Sequence, residues 1–203
     1  MLKSIFTLLL LISAGNIFAQ EAYDWRIYSN KKNLSAIYFD GSSIWAGSDG
    51  GAYRFTLQDS SFTEFTKAAG LNGSPVTAII IDNQNKVWFG SKNGIIDVYE
   101  QESGTYKRIM AISNSGKPQR GINNFILYGD TVVVSTDFGV SLINSKTLNF
   151  YDSFIKFGNI AANTKVNSVY RDSRFYVATQ GGFAVQKVGT TNLNDPEAWD
   201  VYK

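Results

Sequence analysis

The chain of 203 residues contains no cysteine and no histidine. Without cysteine it can form neither a disulfide nor a thiolate metal site, and no lipobox cysteine is present to carry a lipid anchor. Ser-His and Cys-His nucleophile pairs are excluded, and so is a catalytic zinc held by His or Cys. Charge of one sign is also scarce. The 19 Lys and Arg against 17 Asp and Glu leave a net charge of +2, which argues against a nucleic-acid binder. After Ala19 there is no long apolar run, so no transmembrane segment is expected in the remainder. No window there has the period of an amphipathic helix.

The first residues do carry an apolar stretch. Lys3 precedes Ile5-Phe6-Thr7-Leu8-Leu9-Leu10-Leu11-Ile12, and Ser13 to Ala19 ends on a small residue. A positive start, a short apolar core and a small residue at its end read as a secretory signal peptide over 1–19, too short to span a bilayer. The alternative is a buried strand or helix. The signal reading places the remainder, from Gln20, outside the cytoplasm: secreted, periplasmic or associated with the cell surface. Folding there without disulfides relies on the core, and Phe, Tyr and Trp make up 14% of residues, a large burial payload.

One motif returns four times. Gly47-Ser48-Asp49-Gly50-Gly51 is followed by Gly90-Ser91-Lys92-Asn93-Gly94, Ser135-Thr136-Asp137-Phe138-Gly139 and Ala178-Thr179-Gln180-Gly181-Gly182. The closing glycines Gly51, Gly94, Gly139 and Gly182 recur roughly every 43–45 residues, the period of a four-stranded propeller blade. They serve as structural turn residues. Each copy reads as an apolar strand, a polar turn (Asp40-Gly41, Asp82-Asn83, Gly129-Asp130, Asp172-Ser173), a second strand with Trp45, Trp88, Val133 or Tyr176 at one position, the glycine hairpin, a third strand and an aromatic-rich fourth. The expectation is an all-β fold: a β-propeller of four-stranded antiparallel blades over 20–203, with blades at about 34–65, 76–110, 122–154 and 166–202. A β-sandwich shares the short strands but does not need four aligned copies. The first strands, such as Thr77-Ala78-Ile79-Ile80-Ile81, are nearly continuous in apolar residues, as strands covered on both faces are. Trp25-Arg26-Ile27-Tyr28 matches the fourth-strand pattern and reads as an orphan outer strand, 25–28. The chain stops at Lys203 directly after a strand. The expected reading is the N-terminal part of a larger propeller.

The second copy, Gly73-Ser74-Pro75-Val76-Thr77-Ala78-Ile79-Ile80-Ile81-Asp82 and then Lys86-Val87-Trp88-Phe89-Gly90-Ser91-Lys92-Asn93-Gly94-Ile95, resembles the two-component regulator propeller repeat of bacterial extracellular proteins. The first copy resembles it in Leu34-Ser35-Ala36-Ile37, Asp40-Gly41 and Ile44-Trp45-Ala46-Gly47. Copies three and four depart from it, with Val133 and Tyr176 in place of the tryptophan and Ser135 and Ala178 in place of the glycine. The resemblance implies periplasmic sensing regions of hybrid histidine kinases, or N-terminal regions of secreted proteins associated with type IX secretion. It marks blades and names no ligand.

The in-phase aspartates Asp40, Asp82, Asp130 and Asp172 are explained as turn formers rather than as a glycosidase carboxylate pair. Asp82-Asn83-Gln84-Asn85-Lys86 lacks the glutamate and central glycine of a calcium loop. The glycine motifs close hairpins instead of opening helices, so they do not cradle phosphate. No catalytic residue, metal site or cofactor is expected. What remains is an asymmetry of charge. The inter-blade loops carry Lys31, Lys32, Lys67, Lys117, Arg120, Lys156 and Lys165 and no acid, while the connections at the other end carry Asp40, Asp59, Asp82, Glu100, Glu102, Asp130, Asp172, Asp195 and Glu197. A basic mouth concentrates anions. Lys31, Lys32, Lys67, Lys117, Arg120 and Lys165 are therefore the expected ligand-binding residues, with Phe138 and Phe157 either stacking on a ligand or packing between blades. The function expected is a non-enzymatic binding module for an anionic polysaccharide or a partner protein. The alternatives are the sensing region of a longer receptor and a carboxylate-based carbohydrate enzyme.

Overall fold

The computed structural model describes residues 32–203. The segment 1–19 expected to be a signal peptide, the segment 25–28 expected to be an orphan strand, and Lys31 lie outside the described residues. Sixteen strands form four separate four-stranded sheets, each an antiparallel meander in chain order. The first blade is β1 (Leu34–Phe39), β2 (Ser43–Ser48), β3 (Gly51–Thr56) and β4 (Ser61–Phe65). The second is β5 (Val76–Ile81), β6 (Lys86–Ser91), β7 (Ile96–Glu100) and β8 (Thr105–Ile109). The third is β9 (Ile122–Tyr128), β10 (Thr131–Thr136), β11 (Gly139–Asn144) and β12 (Phe150–Phe154). The fourth is β13 (Val166–Arg171), β14 (Phe175–Thr179), β15 (Gly182–Gln186) and β16 (Trp199–Tyr202). Among the described residues the only helical pieces are two 3-10 turns, Lys67–Ala69 and Pro196–Ala198. The fold is all-β, a partial propeller.

Blades pack face to face, with β1 beside β5, β5 beside β9 and β9 beside β13. Period-two alternation sends one set of side chains to each neighbour. Val132 and Val134 of β10 join Trp88, Ile96 and Ile109 of the second blade, whereas Val133 beside them joins Val166, Val169 and Phe175 of the fourth. Trp45, Phe65 and Phe89 gather at the first joint, with Phe65 and Phe89 centroids 5.5 Å apart. The expectation that every first strand is covered on both faces holds for β5, but not for β1 or β13. These stand at the two ends of the row and have a neighbouring blade on one side only.

Each first strand also carries a β-bulge at its second residue. The register skips Ser35, Thr77, Asn123 and Asn167. A bulge re-aims the extra residue, and here it points along the row of blades. Ser35 Oγ donates to the Val76 carbonyl (2.6 Å), Thr77 Oγ1 to Ile122 (2.5 Å) and Asn123 Nδ2 to Val166 (2.9 Å). One polar side chain per blade thus ties each first strand to the start of the next.

The hairpins differ in one detail. Gly51, Gly139 and Gly182 pair directly with Ser48, Thr136 and Thr179, at φ of 137°, 145° and 132°. In the second blade Gly90 pairs with Ile96, and Gly94 lies in the turn at φ 80°. A Cβ on Gly94 would meet the Arg120 carbonyl at 2.8 Å and the Ser113 amide at 3.0 Å. This close approach is what lets the following inter-blade loop fold down over the hairpin.

Candidate functional site

The meander places the turns between second and third strands at the same end of each blade as the inter-blade loops. A backbone bond locks the two together. The N–H groups of Lys92, Asp137 and Gln180 donate to the carbonyls of Pro75, Gly121 and Lys165, each the residue just before a first strand (3.0, 2.9 and 3.0 Å). The hydroxyls of Ser48, Thr136 and Thr179 accept from the hairpin backbone and donate across to the paired glycine carbonyl. The backbone bond recurs in the last three blades, while the side chain at the tip varies from blade to blade: Asp49, Lys92, Asp137, Gln180. A fixed frame with a variable tip is how loops on a rigid scaffold come to carry recognition.

Two adjoining grooves open at this end. One, of about 430 Å³, is lined by Lys92, Asn93, Pro118, Gln119, Arg120, Asp137, Lys165 and Gln180. The other, of about 380 Å³, is lined by Lys117, Pro118, Gln119, Asp137, Phe138 and Asn163. The structure brings Lys117, Arg120 and Lys165 together here and adds Lys92. It leaves the exposed Lys67 in the 3-10 turn between the first two blades and the exposed Lys32 ahead of β1, on neither groove.

Asp137 is the group that a count of inter-blade loops alone omits. Its Oδ2 accepts from Gly121 N (2.9 Å), and its Oδ1 accepts from Asn123 Nδ2 (3.2 Å) and lies 3.6 Å from Lys165 Nζ. It pins the loop that carries Lys117 and Arg120. Arg120 Nη1 donates to the Ser113 carbonyl (2.8 Å), which orients the guanidinium. The ammonium groups of Lys92 and Lys117 make no hydrogen bond or ion pair among the described residues. The combined groove therefore holds four cations against one carboxylate. The tip positions could have been found by aligning the third residue of each glycine motif, because that residue changes chemistry between a constant hydroxyl residue before it and the closing glycine.

Of the two aromatics, Phe157 is fully buried against Phe154 and Trp199 (6.0 and 5.0 Å between centroids) and packs in the core. Phe138 presents a small part of its surface to the second groove. Asp97, fully buried, accepts from the N–H groups of Asn72 and Gly73 (2.9 and 2.7 Å) and from Arg108 Nε (3.0 Å), fastening the loop between the first two blades.

The in-phase aspartates stand at the other end. Asp40 accepts from Ser42 N and Ser43 N (2.8 and 2.7 Å), Asp82 from Gln84 N and Lys86 N (2.9 and 3.0 Å), and Asp172 from Arg174 N (2.8 Å). Asp130 pairs with Lys146 Nζ at 2.6 Å. Partial burial works to raise the Asp40 pKa, but donation from Trp45, Ser42 and Ser43 overrides it and holds the carboxyl below its ordinary value. Among the described residues no helix is long and apolar enough to cross a membrane.

A family model described as the type IX secretion PorZ N-terminal β-propeller domain matches residues 44–200. Among solved structures the chain is similar to PorZ of Porphyromonas gingivalis, described as an essential bacterial surface component of the type-IX secretion system, at 20% identity and a TM-score of 0.69. The match covers 84% of this chain and 22% of that one. The extracellular domain of the putative hybrid two-component system BT4673 from B. thetaiotaomicron matches at 21% identity and a TM-score of 0.65, covering 78% of this chain and 21% of that one. RRP9 WD40 repeats match at 15% identity and a TM-score of 0.60, over 86% of this chain and 52% of that one. The chain spans about a fifth of the length of the first two structures. No curated protein matches it.

Proposed function

The chain belongs to the PorZ N-terminal β-propeller family, and from that premise we propose that it is an exported, non-enzymatic binding module whose inter-blade end receives an acidic polysaccharide or the acidic surface of a partner protein. The observation that carries this reading is the convergence of Lys92, Lys117, Arg120 and Lys165 on two adjoining grooves that hold the single carboxylate of Asp137. Low-dielectric walls lined by one sign of charge concentrate counter-charged ligands. The amides of Asn93, Gln119, Asn163 and Gln180 at the rim supply the neutral hydrogen bonds that hydroxyls of a sugar require. The similarity to cell-surface and extracellular proteins supports a location outside the cytoplasm.

The test compares acidic with neutral polysaccharides on the wild type and on Lys92→Glu, Lys117→Glu, whose ammonium groups carry no structural bond. The expected result is binding of the acidic ligand alone, weaker as salt rises because exposed charges are screened over about 10 Å at 0.1 M, and lost in the double variant. Equal binding of both ligand types, or an affinity unchanged by the two substitutions, overturns it.

A second reading is favoured by the BT4673 similarity: the same module as the sensing region of a longer signalling receptor. A membrane span and kinase encoded downstream of Lys203 would support it, and a secretion sorting domain there would remove it.

A further inference from the structure

Every described arginine but one donates a side-chain hydrogen bond. Arg54 donates to Thr63, Arg108 to Asp97 and Gly70, Arg120 to Ser113 and Arg174 to Tyr176. The guanidinium of Arg171, the last residue of β13, makes no hydrogen bond or ion pair among the described residues, and its Nε is buried without an acceptor. Elsewhere its register is apolar. Phe39, Ile81 and Leu127 hold the same position in the first three blades, and Ile81 and Leu127 pack into the joint with the preceding blade. Arg171 turns into the corresponding joint, between the third and fourth blades. Its guanidinium carbon lies 4.2 Å from the ring centroid of Tyr128 and 4.3 Å from that of Phe175. Tyr128 comes from β9 and Phe175 from β14, and both blades that build this joint have all four strands. The acids next to these residues in sequence are committed: Asp130 pairs with Lys146 and Asp172 closes its own turn. Cation–π contact favours the charge, but it satisfies none of the N–H donors in the plane of the guanidinium. A charge in an apolar slot without an acceptor is a cost that packing alone does not explain.

We propose that Arg171 receives a carboxylate, carried by an acidic peptide segment of a partner protein. The two rings flank the guanidinium and leave an approach in its own plane, and burial of Nε leaves the Nη1–Nη2 end, which is accessible and donates to nothing. A carboxylate is planar and accepts that fork with both oxygens. The surroundings favour a peptide over a sugar. Tyr128 and Tyr151 are 42% and 52% exposed. Thr131 lies opposite Tyr128 in the sheet, and its hydroxyl is 2.8 Å from that of Tyr151. Exposed tyrosines around an arginine are the composition that dominates contacts between proteins. The amides that suit sugar hydroxyls stand at the other end. Tyr128 and Arg171 each precede the first turn of a blade, away from the two grooves, and no groove residue takes part in the site.

The test is the side-chain nitrogen spectrum of protein labelled in its arginines, recorded at mildly acidic pH. The Nε–H signal of Arg171 is assigned through bonds and by its absence from Arg171→Lys, a variant whose folding is checked by circular dichroism and melting temperature. N-acetylaspartate amide presents a side-chain carboxylate, N-acetylalanine a terminal one and glucuronate a sugar acid, while sodium chloride matches the ionic strength. The Arg171 signal should shift and saturate with the peptide carboxylates, and the more effective of the two names the source. The Arg54 and Arg108 signals should stay in place. The response should persist in Lys92→Glu, Lys117→Glu, so it stands or falls apart from the groove ligand. A signal that no carboxylate moves is the mark of a guanidinium that only braces the joint, and it overturns the proposal. So does a shift that chloride reproduces, one that glucuronate matches, or one lost with the two groove lysines.

Discussion

The indole nitrogen of Trp88 donates to Asp82 Oδ2 at 2.8 Å, inside a blade where both side chains are buried. Trp45 repeats the bond to Asp40 at 2.7 Å. A buried indole N–H requires an acceptor, and the aspartate that closes the preceding turn supplies it. One carboxylate thus ends the first strand, shapes the turn and anchors the second strand. Where the tryptophan is replaced the link loosens: Tyr176 OH lies 3.4 Å from Asp172 Oδ2, and Val133 needs no partner.

Removing Asp82 should therefore cost more than removing Asp172. Asp82→Ala leaves the buried Trp88 N–H and two turn amides without an acceptor, a loss of roughly 1–3 kcal/mol for a buried unsatisfied donor. Asp172 is exposed, and water replaces it. Urea denaturation of the two variants should rank them in that order.

Asp40 makes the same device sensitive to acid. Its pKa is held below the ordinary 3.8 in the folded state. A group depressed by folding contributes stability that is present above its unfolded pKa and lost as pH falls through the folded value. The folded chain should therefore lose stability below about pH 4, and Asp40→Asn should flatten that acid limb. Melting temperatures from pH 6 down to pH 2.5 check both.

Much of this frame is legible in the sequence because a propeller repeats itself. The glycine motifs, the Asp turns and the apolar first strands each recur in phase, and four copies average out local irregularity. The candidate site is less legible because it depends on residues that do not recur. Lys92, Asp137 and Gln180 share a register, but only the locked backbone shows that their side chains meet the loop carrying Lys117 and Arg120. Asp137 is separated from Lys165 by two strands and an inter-blade loop in the chain and by 3.6 Å in space. The bulged residues Ser35, Thr77 and Asn123 were hidden for another reason. Polar side chains inside an apolar strand look like interruptions until the register skip turns them along the row.

Thr77→Val isolates that contact. The substitution keeps the shape and removes the donor to the Ile122 carbonyl. It should cost about 0.5–1.5 kcal/mol, the net worth of one intramolecular hydrogen bond. Hydrogen exchange should show faster opening between the second and third blades than between the first and second.

Gly94→Val tests the tight hairpin. A β-branched residue at φ 80° is strained by roughly 1–3 kcal/mol, and its Cβ would press on the Arg120 carbonyl and Ser113 amide. Because these groups belong to the loop that lines the groove, ligand affinity should fall along with the melting temperature. A variant as stable as the wild type would show that the hairpin can relax.

Asp137→Asn separates the two roles of the one carboxylate in the groove. As an acceptor it fastens Gly121, and an asparagine oxygen can keep that bond while its amide group loses the Asn123 and Lys165 contacts on the other side. As a charge it opposes any anion, and its removal frees the Lys165 ammonium at a half-buried site where screening is weaker than in open water. The expected outcome is a lower melting temperature together with tighter binding of an acidic polysaccharide, with the gain shrinking as salt rises. Asp137→Ala should lose the Gly121 bond as well, and with it the position of Arg120. Its affinity should then lie below that of the asparagine variant although the two carry the same charge. Equal affinities for the two variants would show that charge alone governs the groove and that the loop needs no anchor.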